Sequence, residues 1–184
     1  YVGIMGGGLG ESAGGVRRGS VIAMGLEDGD WYASTGANVA TADFSGSPTC
    51  LDADGDSYTD TCYIATTDAK IYKVRIGNLN PGNLGTSAAI TMELFFDGRQ
   101  RLLAVGRTAA EASAARVYSR VVATFDRNRD VRLYFATGNF EDVQKATEQN
   151  FFFEVSDTAP EGGLVAWSNA LNNTRAGGAV CNAG

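Results

Sequence analysis

Five residues in one short stretch of this 184-residue chain have the types and spacing to do chemistry together. Between Cys50 and Tyr63 the sequence reads C-L-D-A-D-G-D-S-Y-T-D-T-C-Y. Asp52, Asp54, Asp56 and Asp60 stand at positions 1, 3, 5 and 9 of a loop, with Tyr58 at position 7. Carboxylates on alternate residues of a tight loop can converge on one centre, and the position-7 residue can add its backbone carbonyl. Such an all-oxygen set is what a hard cation such as Ca²⁺ requires. Four like charges this close repel, so a divalent ion is their natural neutraliser. The competing reading is a solvated acidic turn, since Asp and Gly favour turns on their own. The regular alternation out to position 9 favours the metal site.

The loop departs from an EF-hand, which places Gly at position 6 and a bidentate Glu at position 12. Here Gly55 is at position 4, Ser57 at position 6 and Tyr63 at position 12. The flanks also differ. Tyr63 to Thr67 and Lys70 to Ile76 alternate and are rich in β-branched and aromatic residues, so they read as two strands joined at Thr67-Asp68-Ala69. The ion would then sit in a loop at the start of a β-hairpin.

Cys50 and Cys62 bracket the acidic loop. A disulfide between them closes a ring of about 13 residues and would hold the carboxylates together without metal. Free thiols and a zinc site are the alternatives. With no histidine and three cysteines, the chain has too few soft ligands for zinc, and the spacing is not a zinc spacing. The disulfide is the expected state and implies an oxidising compartment. Cys181, the odd cysteine, is expected to pair outside this segment. The chain begins at Tyr1 without Met and shows no signal sequence. Together with the disulfide, that gives the expectation of a processed piece of an exported protein.

Composition narrows the function further. The absence of histidine removes most general-base, triad and transition-metal chemistry. A net charge of −6 makes nucleic acid and anionic membranes poor partners. No apolar run is long enough for a transmembrane helix. The 24 glycines are mostly clustered and suit tight turns between strands.

Along the chain the pattern is one of short strands. Tyr1–Met5 runs into a glycine-rich stretch in which Gly8, Gly10 and Ala13 mimic a dinucleotide fingerprint. The glycine-broken sequence after it cannot supply the helix such a site needs, so a loop is expected. Ser20–Met24 and Trp31–Thr35 flank a Glu27–Asp30 turn as a hairpin, an outline repeated loosely at Lys70–Ile76 and Leu164–Trp167. A turn-rich loop spans Gly77–Gly85, Ala89–Phe96 is a strand, and the apolar run Arg101–Val105 follows it. Thr108–Arg120 is the one good helical stretch, with Thr108 and Glu111 at capping-box spacing. Val121–Phe125 and Val131–Ala136 form a hairpin about the Asp126–Asp130 turn, whose acids lack the alternating spacing. Glu141–Gln149 reads as a short helical excursion before a strand at Asn150–Val155. Residues 169–184 read as a flexible tail or connection. With about ten short strands and little helix, the fold class is all-β, and a β-propeller suits the irregular spacing and the Trp and Tyr strands.

Three stretches carry a resemblance to a family. Leu51–Asp60, continuing through Tyr63-Ile64-Ala65 to Asp68-Ala69-Lys70-Ile71-Tyr72-Lys73-Val74, is similar to that family's nine-residue calcium loop and the Y-x-G-D-x-x-G-x-L-W-R-F segment after it. Val131–Phe140 is similar to its V-Y-F-G-T-G-K-Y, and Asn150–Asp157 to its Q-x-F-Y-A-I-W-D. The family is the C-terminal β-propeller of PilY-type proteins, calcium-binding factors found with type IV pili. The three stretches occur in family order across somewhat over half the chain. The departures are Ala65-Thr66 for the family's Gly-Asp, Ala69 for its glycine, and Cys50 and Cys62, which are not part of the motif.

The resemblance implies Ca²⁺ ligands at Asp52, Asp54, Asp56 and Asp60, with the carbonyl of Tyr58. It implies a partial propeller of about three to four blades, either a single domain over residues 1–184 or part of a larger one. It also implies a non-enzymatic role in pilus assembly, retraction control and tip adhesion, at the cell surface or in the periplasm. The partners would be minor pilins, other parts of the same protein, or a host or abiotic surface. Two other readings compete. Integrin-like propellers carry a similar loop in each blade, whereas this sequence has one. Quinoprotein dehydrogenases need a full ring of Trp-docked blades, and two tryptophans do not supply it.

Overall fold

The structure, a computed structural model, describes residues 2–6, 20–26, 31–34, 42–77, 90–138 and 149–158. The Gly8–Ala13 motif, the Glu27–Asp30 turn, most of the Gly77–Gly85 loop, residues 141–148, the Leu164–Trp167 stretch, Cys181 and the 169–184 tail lie outside them.

The regular structure of the described residues is mostly strand. β1 (Val2–Gly6), β2 (Val21–Gly25) and β3 (Trp31–Ser34) form a three-stranded antiparallel sheet. β4 (Thr49–Leu51), β5 (Thr61–Ala65), β6 (Lys70–Ile76) and β7 (Ile90–Asp97) form a four-stranded antiparallel meander. After two short helices, α1 (Gly98–Ala104) and α2 (Ala109–Ala114), a second three-stranded sheet is built from β8 (Val122–Phe125), β9 (Val131–Ala136) and β10 (Phe152–Asp157). The fold is all-β, and none of the three sheets closes on itself among the described residues.

The four-stranded sheet lies between the other two, and alternation along its strands shows why. Side chains in a strand point to opposite faces in turn. On one face Cys62, Ile64, Tyr72 and Val74 join Val21 and Ala23 of β2 and Phe44 in one apolar cluster. On the other, Tyr63, Ala65, Ile71 and Phe96 join Leu133, Phe135, Phe153 and Val155 of the third sheet. Burial on both faces makes β5 buried at every residue, in the manner of strands sandwiched between layers. Aromatic rings dominate the second cluster. Phe135 and Phe153 stack at 4.9 Å, and Phe96 meets each of them edge-on at 5.7 and 5.6 Å. Those are the geometries ring quadrupoles favour.

Both helices cover this second cluster, through Leu102 of α1 and Ala112 of α2. Here the structure departs from the sequence reading twice. The apolar run Arg101–Val105, outside the one helical stretch expected, belongs largely to a helix. Asp97 caps the start of α1 by accepting from the Gln100 N–H at 3.0 Å. A Schellman turn ends it, with Gly106 N–H to the Leu103 carbonyl and Arg107 N–H to the Leu102 carbonyl, both 3.0 Å. Gly106 sits at φ +83°, which explains a glycine there. The second departure is length. The predicted Thr108–Arg120 helix stops at Ala114, because Val117 and Val121 are drawn into the core as extended chain. Their carbonyls are taken by the hydroxyls of Ser45 and Thr49 next to the four-stranded sheet.

The predicted capping box is present, with Thr108 Oγ1 accepting from Glu111 N–H at 3.2 Å and Glu111 Oε2 accepting from Thr108 N–H at 2.8 Å. Helix α2 has only six residues, too few to be stable by propensity alone. Thr108→Ala is therefore expected to cost about 1 kcal/mol, read as a lowered urea midpoint with unchanged slope. An unchanged midpoint would show that packing of Ala112 alone holds α2 in place.

Candidate metal centre

The acidic loop is the connection between β4 and β5. It is thus a hairpin loop with a strand on each side, where the sequence reading had only the strands after it. The hairpin is closed at its base by Asp60 N–H to the Leu51 carbonyl, 3.2 Å, and by the Cys50–Cys62 disulfide between directly paired residues of the two strands.

Within the loop the carboxylates turn inward and collect backbone N–H groups. Asp60 accepts from Ala53 N–H with both oxygens, at 3.1 and 3.0 Å, and from Asp54 N–H at 3.2 Å. Asp52 accepts from Gly55 N–H at 2.6 Å and from Ser57 N–H at 2.8 Å. Asp54 accepts from Asp56 N–H at 3.0 Å, and Asp56 from Tyr58 N–H at 2.8 Å. These bonds require sharp turning, and both Gly55 (φ +86°) and Ser57 (φ +77°) are left-handed. Burial pushes the Asp52 carboxyl upward. The opposing N–H bonds from Ser57 and Gly55 pull harder, so it rests below the usual carboxylate range. An ionised Asp52 at neutral pH is what a cation ligand must be.

Oxygens of Asp52, Asp54 and Asp60 all lie within 4.8 Å of one another. Three of the predicted ligands therefore converge. Asp56 stands outside that group with its carboxylate on the Tyr58 N–H, and the Tyr58 residue is 75 % exposed at the loop surface. Three carboxylates with no nitrogen or sulfur donor fit a hard divalent cation better than a transition metal. Each oxygen pair keeps accepting capacity beyond its N–H bonds, so Asp52, Asp54 and Asp60 can hold such an ion.

A second polar group, which no local spacing in the sequence marks, is buried between the sheets. Lys73 of β6 and Tyr63 of β5 are cross-strand partners on the face that meets the third sheet. Both donate to Asp157 Oδ2 at the end of β10, each at 2.6 Å. Lys73 is 1 % and Asp157 0 % exposed. The available signal was a lysine inside the otherwise apolar run Ile71–Val74, between Tyr72 and Val74, which are both buried. It identifies a buried cation and leaves its partner unnamed.

No family model matches this chain, and no curated protein matches it. Its fold is similar to the crystal structure of the PilY1 C-terminal domain of Pseudomonas aeruginosa, with a TM-score of 0.54 at 14% identity. The likeness covers 78% of this chain and 32% of that one, so the chain spans about a third of the structure it matches. At this identity the likeness is one of fold. Among the described residues no helix is long and apolar enough to cross a membrane, which leaves β-barrel spans unaddressed.

Proposed function

We propose that this chain is a calcium-binding, non-enzymatic segment of a PilY-type β-propeller, serving pilus assembly, retraction control and tip-associated adhesion. One observation carries the reading. A chain whose fold is similar to a PilY1 C-terminal domain also brings three loop carboxylates, Asp52, Asp54 and Asp60, within 4.8 Å of one another. The three stacked sheets correspond in this reading to three blades of a partial ring. Asp52, Asp54 and Asp60 would hold the ion, and Asp56 and the Tyr58 carbonyl would be its further oxygen ligands. The protein works outside the cytoplasm, on the pilus or in the periplasm, where a disulfide persists. Its partners are minor pilins or further segments of the same protein, with a host or abiotic surface as the adhesion ligand.

The test is calorimetric titration of Ca²⁺ into the wild type and into Asp52→Ala, Asp60→Ala and Glu93→Ala. Removing one converging carboxylate is expected to weaken Ca²⁺ at least tenfold, about 1.4 kcal/mol. Glu93, exposed on β7 and paired with Arg75 at 2.9 Å, lies outside the loop and serves as the control. Asp126 is unsuited to that purpose, because it organises the β8–β9 turn through Asn128, Asp130 and Arg132. Loop variants that bind Ca²⁺ as tightly as the wild type would refute the site, and the pilus assignment would lose its main support.

A further inference from the structure

We propose that Arg129, carried on the turn between β8 and β9, is a positioning residue for the acidic loop and sets how strongly that loop takes a cation. The effect on affinity rests on the calcium reading above; the effect on the loop itself does not. Strand β4 approaches β8 where the Thr49 hydroxyl reaches the Val121 carbonyl. The loop leaving β4 and the turn leaving β8 consequently come side by side. Arg129 Nη2 lies 3.2 Å from the point where a Cβ on Gly55 would stand. The left-handed backbone at Gly55 favours glycine, and its bare Cα leaves the guanidinium room to pack close over the loop.

The arginine is held in place from its own side. Its backbone is left-handed at φ +68°, and its N–H donates to the Asp126 carbonyl at 3.1 Å. Asp126 in turn accepts from the N–H groups of Asn128 and Asp130 and from the Arg132 guanidinium at 2.8 Å. The Arg129 guanidinium also lies over the Phe125 ring, 5.6 Å from its centroid. Among the described residues its guanidinium closes no ion pair, and it meets the acidic loop at Gly55, between Asp54 and Asp56.

Two effects follow, with opposite signs for affinity. In the metal-free loop the positive charge relieves repulsion among Asp52, Asp54 and Asp60. Toward an arriving divalent ion it is repulsive. The loop amides at 53–58 already hold the loop's shape by bonding its carboxylates. Loss of preorganisation is therefore the smaller effect, and removing the charge should tighten binding.

The experiment compares wild type, Arg129→Gln and Arg129→Lys by Ca²⁺ calorimetry at low and high salt. Hydrogen exchange of amides 53–58 is followed in parallel on metal-free protein. Arg129→Gln is expected to bind Ca²⁺ roughly fivefold more tightly at low ionic strength, and the difference should vanish near 1 M salt, where screening acts within about 3 Å. Arg129→Lys, which keeps the charge, should stay near wild type. Metal-free Arg129→Gln should exchange its loop amides faster at low salt. Unchanged or weaker Ca²⁺ binding in Arg129→Gln at low salt would overturn the inference. If the wild type itself takes no Ca²⁺, the calcium reading fails separately. The exchange measurement then decides, with faster exchange supporting the positioning role and unchanged exchange overturning it.

Discussion

Asp157→Ala is expected to destabilise the protein by about 3–5 kcal/mol, because it removes the carboxylate that the buried Lys73 ammonium and Tyr63 hydroxyl both bond. Lys73 and Asp157 are both almost fully shielded, at 1 % and 0 % exposure, and 2.6 Å apart. The aspartate also accepts the Tyr63 hydroxyl at 2.6 Å. Burial raises the tyrosine's pKa far above its ordinary range, and the Asp157 hydrogen bond and charge raise it further, so the hydroxyl stays a donor at any working pH. The three residues come from β5, β6 and β10 and tie the four-stranded sheet to the third sheet. The size of the loss reflects the orphaned charge more than the worth of the pair. Lys73→Met combined with Asp157→Leu should accordingly recover most of this loss, falling short of neutral by about 1–3 kcal/mol, the cost of the buried Tyr63 hydroxyl that loses its acceptor. Urea denaturation of the single and double variants reads both effects. A loss below about 1 kcal/mol for Asp157→Ala would show that water reaches the ammonium and that the sheets are held by their apolar contacts alone.

The second large effect is expected on opening the Cys50–Cys62 bridge, by reduction or in a Cys50→Ala/Cys62→Ala variant. The bonded residues are 12 apart in sequence, and closing so short a loop restricts the unfolded chain by about 3 kcal/mol in the entropy model. The consequence is also local. β4 is only three residues long and, among the described residues, lies at the edge of its sheet and pairs with β5 alone. Freed of the bridge, β4 is expected to fray and the base of the acidic loop to open. Amide exchange at Leu51 and Asp60 should then accelerate more than exchange in β6. Unfolding midpoints with and without reductant measure the global effect. Coincident midpoints would mean that the bridge adds nothing beyond the strand pairing.

Much of the candidate site was legible because its interactions are local. The alternation Asp52, Asp54, Asp56, Asp60 sets which carboxylates share a side of a tight loop, and turn-forming residues lie between them. The cysteines are near enough in sequence for strand pairing to bring them opposite one another. The hairpin turn at Thr67-Asp68-Ala69 and the Thr108–Glu111 capping box were readable for the same reason, since each joins groups within a few residues. The all-β class followed from the summed period-two pattern. Where the sequence reading went astray, a short apolar run was ambiguous. Arg101–Val105 has the composition of either a strand or a helix, and the Asp97 cap with the Gly106 turn decides for the helix.

Tertiary structure decided everything that depends on distant partners. Nothing near Lys73 in the chain identifies Asp157, 84 residues away, as the group that makes its burial tolerable. That pairing exists only because β6 and β10 face each other across the sheets. The Thr108–Arg120 helix had good local propensity throughout, yet its second half unwinds. Burying Val117 and Val121 and bonding their carbonyls outweighs less than two turns of marginal helix. Asp56 is locally equivalent to its neighbours, but the folded loop gathers three carboxylates and directs the fourth to the Tyr58 N–H. Arg129 likewise reads as one more charge in a surface turn. Only the packing of β4 beside β8 brings it onto Gly55. Short-range spacing specified the ligand chemistry of the loop, whereas long-range packing set its shape, its neighbours and the electrostatic field around it.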